Sequence, residues 1–377
     1  MAKYKLGDIV TLLNGRAYLM PELQDSGKYR ILRVGNLSGG NDSWYYSDME
    51  LDENKYCENG DLLYAWACNF GPHIWREEKV IYHYHIWKLV ENKEKVDRTY
   101  LYYYLLHQTP FYLGGVNGAT MVHITKKNME KKTVYIPSSL NVQHRIASIL
   151  STYDSLIENN TKRIRLLEKM AENLYTEWFV RFRFPGHENV EMENGLPKGW
   201  KRGSLSDVCE FKRGKNITSS EMQEGNVPVI SAGLEPSGYH SCSNVKGVNV
   251  TMSSSGANAG YIAIHYSDIW AADCSYIEES TTGNIYYVYE LLNNIRTVIN
   301  NFQRGAAQPH VYPKDVNRIK LILPSKELML KANGRLEIMY KEIYNLQKQN
   351  SLLARQRDLL LPRLMSGKLE VKEELLE

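Results

Sequence analysis

The chain has 377 residues, 43% of them hydrophobic, and balances Lys+Arg 46 against Asp+Glu 43 for a net charge of +3. That length suits about two to three domains, and so small a net charge means that a surface for a polyanion has to be assembled locally. No apolar run approaches the roughly 18 residues of a membrane span, and the start MAKYKLGDIV lacks a signal segment, so a cytoplasmic chain with no membrane partner is expected.

In chain order, KYKLGDIVTLLNGR reads as a short strand or helical turn ending in Gly15-Arg16. Alternating or β-rich runs at 29–34, 61–67, 79–89 and 133–136 predict strands, and 100–107 predicts a helix. From 140 to 184 the pattern changes. Ile146, Ile149/Leu150, Tyr153, Leu156/Ile157, Ile164, Leu167, Met170/Ala171, Leu174 and Trp178 recur every three or four residues, predicting one helix roughly 50 Å long with a narrow apolar seam. Pro185-Gly186 stops it, and 185–198 reads as a polar, acidic linker. A second unit spans 199–325, with strands expected at 227–231, 247–252, 260–265 and 318–323 and a helix at 286–300. Leu336, Met339/Tyr340, Ile343, Leu346, Leu353, Leu360 and Leu364 then mark a second long helix over 326–369, leaving 370–377 as a tail. Each seam is broken near its middle, by Asn160 and by Asn350. If the helices run antiparallel the two asparagines meet; either they pair and set the register, or they reach out to solvent.

The two units echo one another. Leu205, Asp207, Val208 and Gly214 repeat Leu6, Asp8, Ile9 and Gly15, and at a constant offset of 187 residues Gly118-Ala119, His123, Lys127 and Pro137 return as Gly305-Ala306, His310, Lys314 and Pro324. The pattern is a tandem duplication: an α+β fold class with two pseudo-repeat domains, 1–139 and 199–325, joined by two long helices expected to form an antiparallel coiled coil.

Enzyme signatures are missing: there is no GxxxxGK[ST], HExxH, GxSxG or Gly-rich dinucleotide loop, and no Asn/Asp-Pro-Pro-aromatic loop of an amino-methyltransferase. His83 and His85 share a strand face without a carboxylate or cysteine at ligand spacing, the acidic 48–53 stretch is irregular, and Cys57, Cys68, Cys209, Cys242 and Cys274 form no C-x-x-C pair, so no metal site is expected. Tyrosine, at 27 against 7 phenylalanines, suits wet interfaces. Cations on glycine turns suit phosphates and base edges: Arg16 in the first unit, and Lys212, Arg213, Lys215 and Asn216 in the second. The echoed windows add Thr120, His123, Lys126, Lys127, Gln308, His310 and Lys314, and Arg30 and Arg33 lie on the 29–34 strand. Trp44-Tyr45-Tyr46, Asn69, Ser253-Ser254-Ser255 and Asn258 are weaker loop candidates. Trp178, Phe179, Arg181 and Phe182 crowd the end of the first helix. They form either a docking surface for a partner or a cluster packed on the chain's own domain or second helix.

ENNTKRIRLLEKMAENLYTEWFVRFRFPG followed by LPKGW, supported by Ile136-Pro137, Gln143 and Ile146 before it and by LLLPRLMSGKLEV at the distal end, resembles the specificity subunit of type I restriction–modification systems over essentially the whole chain. The entry Lys326-Glu327-Leu328 departs from that pattern in lacking a counterpart of Gln143. The resemblance implies a non-catalytic DNA-reading adaptor. Each domain would be a target recognition domain reading half of a bipartite double-stranded site, with the helices as conserved regions that hold the spacing. Two methylation subunits would dock on it with S-adenosylmethionine, restriction subunits would bring ATP and Mg, and this chain would bind no cofactor. The specificity partner of another defence methyltransferase, or a coiled-coil protein with two heads for non-DNA ligands, are the alternatives; binding to DNA, unlike the last, weakens steeply with salt.

Overall fold

In each half a short strand runs into a 3-10 turn closed by an aspartate: the amide of Lys5 donates to Asp8 Oδ2 at 3.0 Å and that of Ser204 to Asp207 Oδ2 at 2.7 Å. The computed structural model describes residues 1–37, 43–114, 124–305 and 309–371. The chain divides into two units, Met1–Glu158 with Ser351–Glu377, and Asn159–Asn350.

In the first unit β1 (Ala2–Lys5) pairs antiparallel with β10 (Thr133–Ile136). One four-stranded sheet has the order β2 (Val10–Asn14), β9 (Ile86–Glu91), β6 (Leu62–Ala65), β7 (Gly71–Ile74). The other has β4 (Tyr45–Ser47), β3 (Tyr29–Leu32), β8 (Val80–Tyr82), β5 (Tyr56–Cys57), with β3 and β8 parallel. The helices are α1 (Val34–Leu37), α2 (Arg98–Leu113) and α3 (Lys126–Glu130). The 79–89 run is thus two strands of different sheets, separated by a turn at His83, Tyr84 and His85.

The second unit repeats this order. Its β13 (Lys201–Ser204) pairs with β21 (Lys320–Leu323), and β14 (Lys212–Arg213), β20 (Cys274–Glu278), β17 (Asn249–Ser253) and β18 (Ile262–His265) form the four-stranded sheet. In the other sheet β16 (Gly238–His240), β15 (Val227–Ile230) and β19 (Trp270–Ala271) follow in order, and β15 with β19 is again the parallel pair. Helices α5 (Glu279–Thr282), α6 (Ile285–Asn294), α7 (Arg296–Asn300) and α8 (Pro313–Val316) complete it. Tandem duplication therefore holds at the level of strand order. The acidic stretch before this unit is not an open linker: β11 (Met192–Glu193) and β12 (Leu196–Pro197) form a hairpin, because Leu196 is buried.

Helix α4 (Leu140–Tyr175) begins in the first unit and runs on into the second, where a π-helical turn (Thr176–Val180) ends it; α9 (Lys326–Met365) passes through the units in the opposite order. In the first unit Ile146, Ala147 and Leu150 of α4 share a core with Leu361, Leu364 and Met365 of α9 and with Tyr100, Leu101 and Val134. In the second, Ala171 and Tyr175 share one with Leu336, Tyr340 and Ile343 and with Tyr286 and Tyr287. There the helices run antiparallel, since Asn160 meets Gln349 while Arg163 meets Glu342. Asn160 and Asn350 do not pair with each other. Asn160 is buried and donates to Gln349 Oε1 at 3.4 Å, and Asn350 donates to Thr161 Oγ1 at 3.3 Å, because the stagger sets each asparagine against the other's neighbour.

Side chains on the long helices also cap the domain helices. Gln143, fully buried, accepts from the amide of Asp97 at 2.9 Å and donates to the carbonyls of Lys95 and Pro137, and Asp97 is the N-cap of α2. In the second unit Asn333 Oδ1 accepts from the amides of Tyr286 and Tyr287, the free N–H groups in the first turn of α6. The missing glutamine is thus replaced by an asparagine one turn further along. Many of the tyrosines expected at wet surfaces lie in the cores instead: Tyr64, Tyr82, Tyr100, Tyr103, Tyr286 and Tyr287 are among the largest fully buried side chains. Tyr64 bonds Thr109 and Tyr82 the Asn54 carbonyl, whereas the buried Tyr100 hydroxyl has no partner among the described residues.

Candidate nucleic-acid interface

The repeated glycine is dictated by backbone approach. A Cβ at Gly15 would stand 2.3–2.5 Å from the main chain of Tyr82 and His83, and one at Gly214 would stand 2.4–2.8 Å from that of Ala271 and Ala272. The next residue is then bonded to the neighbouring strand: the Arg16 amide to the Tyr82 carbonyl at 3.0 Å, and the Lys215 amide to the Ala271 carbonyl at 2.9 Å. Each unit therefore presents a cation at the same backbone place.

The two cation sets differ in freedom. Arg16 forms a bidentate pair with Glu22 at 2.6 and 3.0 Å, which raises the guanidinium pKa and holds the Glu22 carboxyl below its usual value. Arg30 bonds Glu77 and Glu78 and lies 4.6 Å from the Trp44 ring, while Arg33 lies 4.3 Å over Tyr45. Trp44 and Tyr45 thus hold arginines. Lys212, Arg213 and Lys215 are exposed, and no ion pair among the described residues engages them. Asn216, also exposed, lines a cleft of about 260 Å³ with Thr218, Ser231 and Asp273.

The other candidates scatter. Lys126 pairs with Glu130 at 3.7 Å, Lys127 is exposed on the first turn of α3, and Asn69 is exposed beside Cys68, whose φ is +62°. Lys314 lies 5.8 Å over the Tyr312 ring, and His310 stacks on the same ring while its backbone bridges to Arg304 and Ser255. Asn258 donates to the Ala232 carbonyl. Ser254, expected on an exposed loop, is buried: its carbonyl accepts from Val311 at 3.0 Å, a bond that ties the loop to the echoed window. Thr120, His123 and Gln308 lie outside the described residues.

At the end of α4, Trp178 and Phe179 are buried within the second unit, Phe179 against Tyr287 and Trp200 and Trp178 beneath Arg335. Phe182 is half-buried against Trp200, whereas Arg181 is exposed and pairs with Glu177. Most of the Trp178 and Phe179 surface is spent on this packing, while Phe179, Val180 and Phe182 also line a cleft of about 640 Å³ with Arg202 and Leu291. Exposed apolar side chains also lie along the long helices: Ile149, Leu156, Leu352 and Leu359 in the first unit, and Leu166, Met170, Leu330 and Ile338 in the second.

His83 and His85, expected on one strand face, lie instead in the β8–β9 turn, where rings gather. His85 lies 5.0 Å from Trp66, 3.9 Å from Tyr84 and 4.9 Å from His83 by ring centroids, and Trp66 Nε1 donates to the Tyr84 carbonyl at 2.8 Å. Burial lowers both imidazoles, His83 to about 4, so both are neutral near pH 7. Burial also raises the Cys209 and Cys274 thiols to about 12, which leaves them inert. Among the described residues no group of three or more His, Cys, Asp or Glu side chains is arranged for a metal ion, and no helix is long and apolar enough to cross a membrane.

Two copies of one β fold, each with a cation on the same glycine turn and both built around the same two long helices, define a duplicated binding scaffold. The chain belongs to the family of the type I restriction modification DNA specificity domain, whose model matches residues 1–169 and 197–352. It is 27% identical over 307 residues to the type I restriction enzyme MjaIX specificity subunit of Methanocaldococcus jannaschii, covering 74% of this chain and 71% of that protein. A putative type I specificity subunit of Mycoplasma genitalium is 25% identical over 275 residues, 72% of this chain and 71% of the relative. The crystal structure of a type I restriction–modification S subunit from M. genitalium shares the fold, with a TM-score of 0.69 at 20% identity over 96% of this chain and 95% of that one.

Proposed function

We propose that this specificity subunit reads a bipartite DNA site, one half with each unit, and that it carries no catalytic chemistry of its own. The observation that supports this most is the duplicated glycine turn, with Arg16 and Lys215 at one backbone place in two units that share α4 and α9. Positive charge beside a β-loop surface positions phosphates, and polar loop side chains then meet base edges. The long helices act as the element that sets the spacer. Two methylation subunits, supplying S-adenosylmethionine and the methyl transfer, dock on the exposed apolar positions of those helices, one set in each unit. Restriction subunits contribute ATP- and Mg-dependent steps.

Co-expression with the methylation subunit of its own system, followed by mapping of modified adenines, tests the reading. A two-part motif with an unspecified spacer is the expected outcome. A single uninterrupted motif, or affinity insensitive to salt, contradicts it.

A further inference from the structure

The hydrogen bonds that frame the β8–β9 turn recur at the β19–β20 turn. The amide of Gly15 donates to the Ile86 carbonyl at 3.3 Å, as that of Gly214 does to Cys274 at 2.8 Å; the amide of Trp66 donates to the His85 carbonyl at 3.1 Å, as that of Ser254 does to Asp273 at 3.4 Å. The amide of Ile124 donates to the Trp66 carbonyl at 3.5 Å, as that of Val311 does to Ser254 at 3.0 Å. Even the left-handed residue that follows is shared, Cys68 at φ +62° and Gly256 at φ +73°. By these bonds His85 and Asp273 occupy one seat, next to the cation turn, in two copies of the same framework. Tyr84 is the residue by which the first turn is longer.

What the seats present could hardly differ more. At Asp273 a carboxylate takes one hydrogen bond from Ser255 Oγ at 2.5 Å and otherwise faces the cleft lined by Asn216, Thr218, Ser231 and Glu221, whose own carboxylate is held by Thr218. Its remaining lone pairs are free to accept. At His85 the seat is an uncharged imidazole, with one N–H donor and one acceptor nitrogen, packed among the rings of Trp66, His83 and the exposed Tyr84. A shared backbone that carries different chemistry beside the cation turn is what two readers of different half-sites require.

We propose that His85 and Asp273 are matched specificity-determining positions: Asp273 accepts a hydrogen bond from the exocyclic amino group of cytosine or adenine in the half-site of the second unit, and the Tyr84–His85 surface contacts a thymine methyl in that of the first. The assignment rests on the reading that each unit binds half of a DNA site. In the major groove only cytosine N4 and adenine N6 offer amino hydrogens, and only thymine offers a methyl group, so each seat favours a definite class of base.

The test uses the full chain with its methylation subunit and maps the modified motif for wild type, D273N, S255A and Y84A. D273N, which adds a donor, is expected to lose about ten-fold in discrimination for an amino-bearing base at one position of one half-site and to leave the other half-site unchanged. Y84A is expected to relax one position in the opposite half, and S255A, which keeps the carboxylate, to preserve the motif. A two-part motif that is identical in wild type, D273N and Y84A overturns the assignment while sparing the proposed function; a wild type that yields no two-part motif removes the function itself. If thermal melting shows D273N to be unfolded, D273E decides. Its acceptor is displaced by one methylene, so weakened methylation with the same amino preference supports the seat, and wild-type rate and motif overturn it.

Discussion

Arg357 of α9 donates to Asp154 of α4 at 2.5 Å inside the first unit, and the Tyr103 hydroxyl of α2 donates to the same carboxylate. Both charged side chains are mostly covered, at 23% and 21% exposure, so the pair works as a three-element clasp between the long helices and the domain. Removing one partner leaves the other charge with a single neighbour, Asp358 for Arg357 and the Tyr103 hydroxyl for Asp154. Asp154→Ala and Arg357→Met should each destabilise the first unit by about 2–4 kcal/mol, and a double-mutant cycle read by chemical denaturation should show that the two losses are not additive. Additive losses would mean that the contact is incidental.

The unpaired cations of the 212–215 turn should dominate DNA binding by the second unit. Arg213→Ala is expected to weaken binding to that half-site. If Arg213 meets a base edge, the loss is about 1–3 kcal/mol and specific to one sequence; if it meets a phosphate, all sequences weaken alike and the salt slope falls by about one. Titrations at several salt concentrations distinguish the two, and an unchanged affinity and slope would exclude Arg213 from the interface.

Stability of the second unit should fall as pH rises from about 4.5 to about 7. Glu290 is buried, its carboxyl raised by desolvation to about 7, and it accepts a hydrogen bond from Tyr340, with Glu172 and Glu168 adding repulsion. A carboxyl raised in the folded state holds its proton there while the unfolded chain, near 4.5, has released it, so stability is full below about pH 4.5 and declines until about pH 7. The full decline is on the order of 3 kcal/mol from this group. Glu290→Gln should flatten this part of the stability profile, as measured by denaturant midpoints between pH 4.5 and 8; an identical slope in the variant would assign the effect elsewhere.

Partner docking should follow the exposed helix positions and not the aromatic cluster. Leu352→Glu with Leu359→Glu is expected to leave the melting temperature within a few degrees of wild type, since both side chains are more than half exposed, yet to abolish co-purification with the methylation subunit. Phe179→Glu, by contrast, buries a charge and should unfold the second unit. Normal co-purification of the Leu352/Leu359 variant would move the docking surface elsewhere.

The helices should also behave as a ruler. One heptad inserted after Leu167, with another after Tyr344 in the facing stretch of α9, keeps the seam in phase and adds about 10 Å. That length corresponds to at most about three base pairs. Three base pairs turn the DNA by roughly 100°, whereas a heptad turns a coiled coil by only about 25°. The preferred spacer should therefore shift by about one to three base pairs at reduced affinity, or recognition of any bipartite site should be lost. Both half-site sequences stay as they were in the first case. Motif mapping with wild-type activity at the original spacer would show that the helices do not set the distance.

Local periodicity was enough to show the two long helices and the strands at 29–34, 133–136, 227–231 and 318–323, because a repeating apolar stripe or an alternating run is a property of neighbours along the chain. The glycine turns were legible too, since a residue without a Cβ is demanded by a backbone contact that both copies make. What needed the tertiary structure was every outcome that depends on distant residues. Arg16 and Arg30 find carboxylates, Trp178 and Phe179 find a core, and Asn160 finds Gln349 in place of Asn350 through a small stagger between helices. The equivalence of His85 and Asp273 belongs to the same class. No sequence likeness joins a histidine in a ring cluster to an aspartate in a polar cleft; only the hydrogen bonds of strands far apart in the chain set them in one seat.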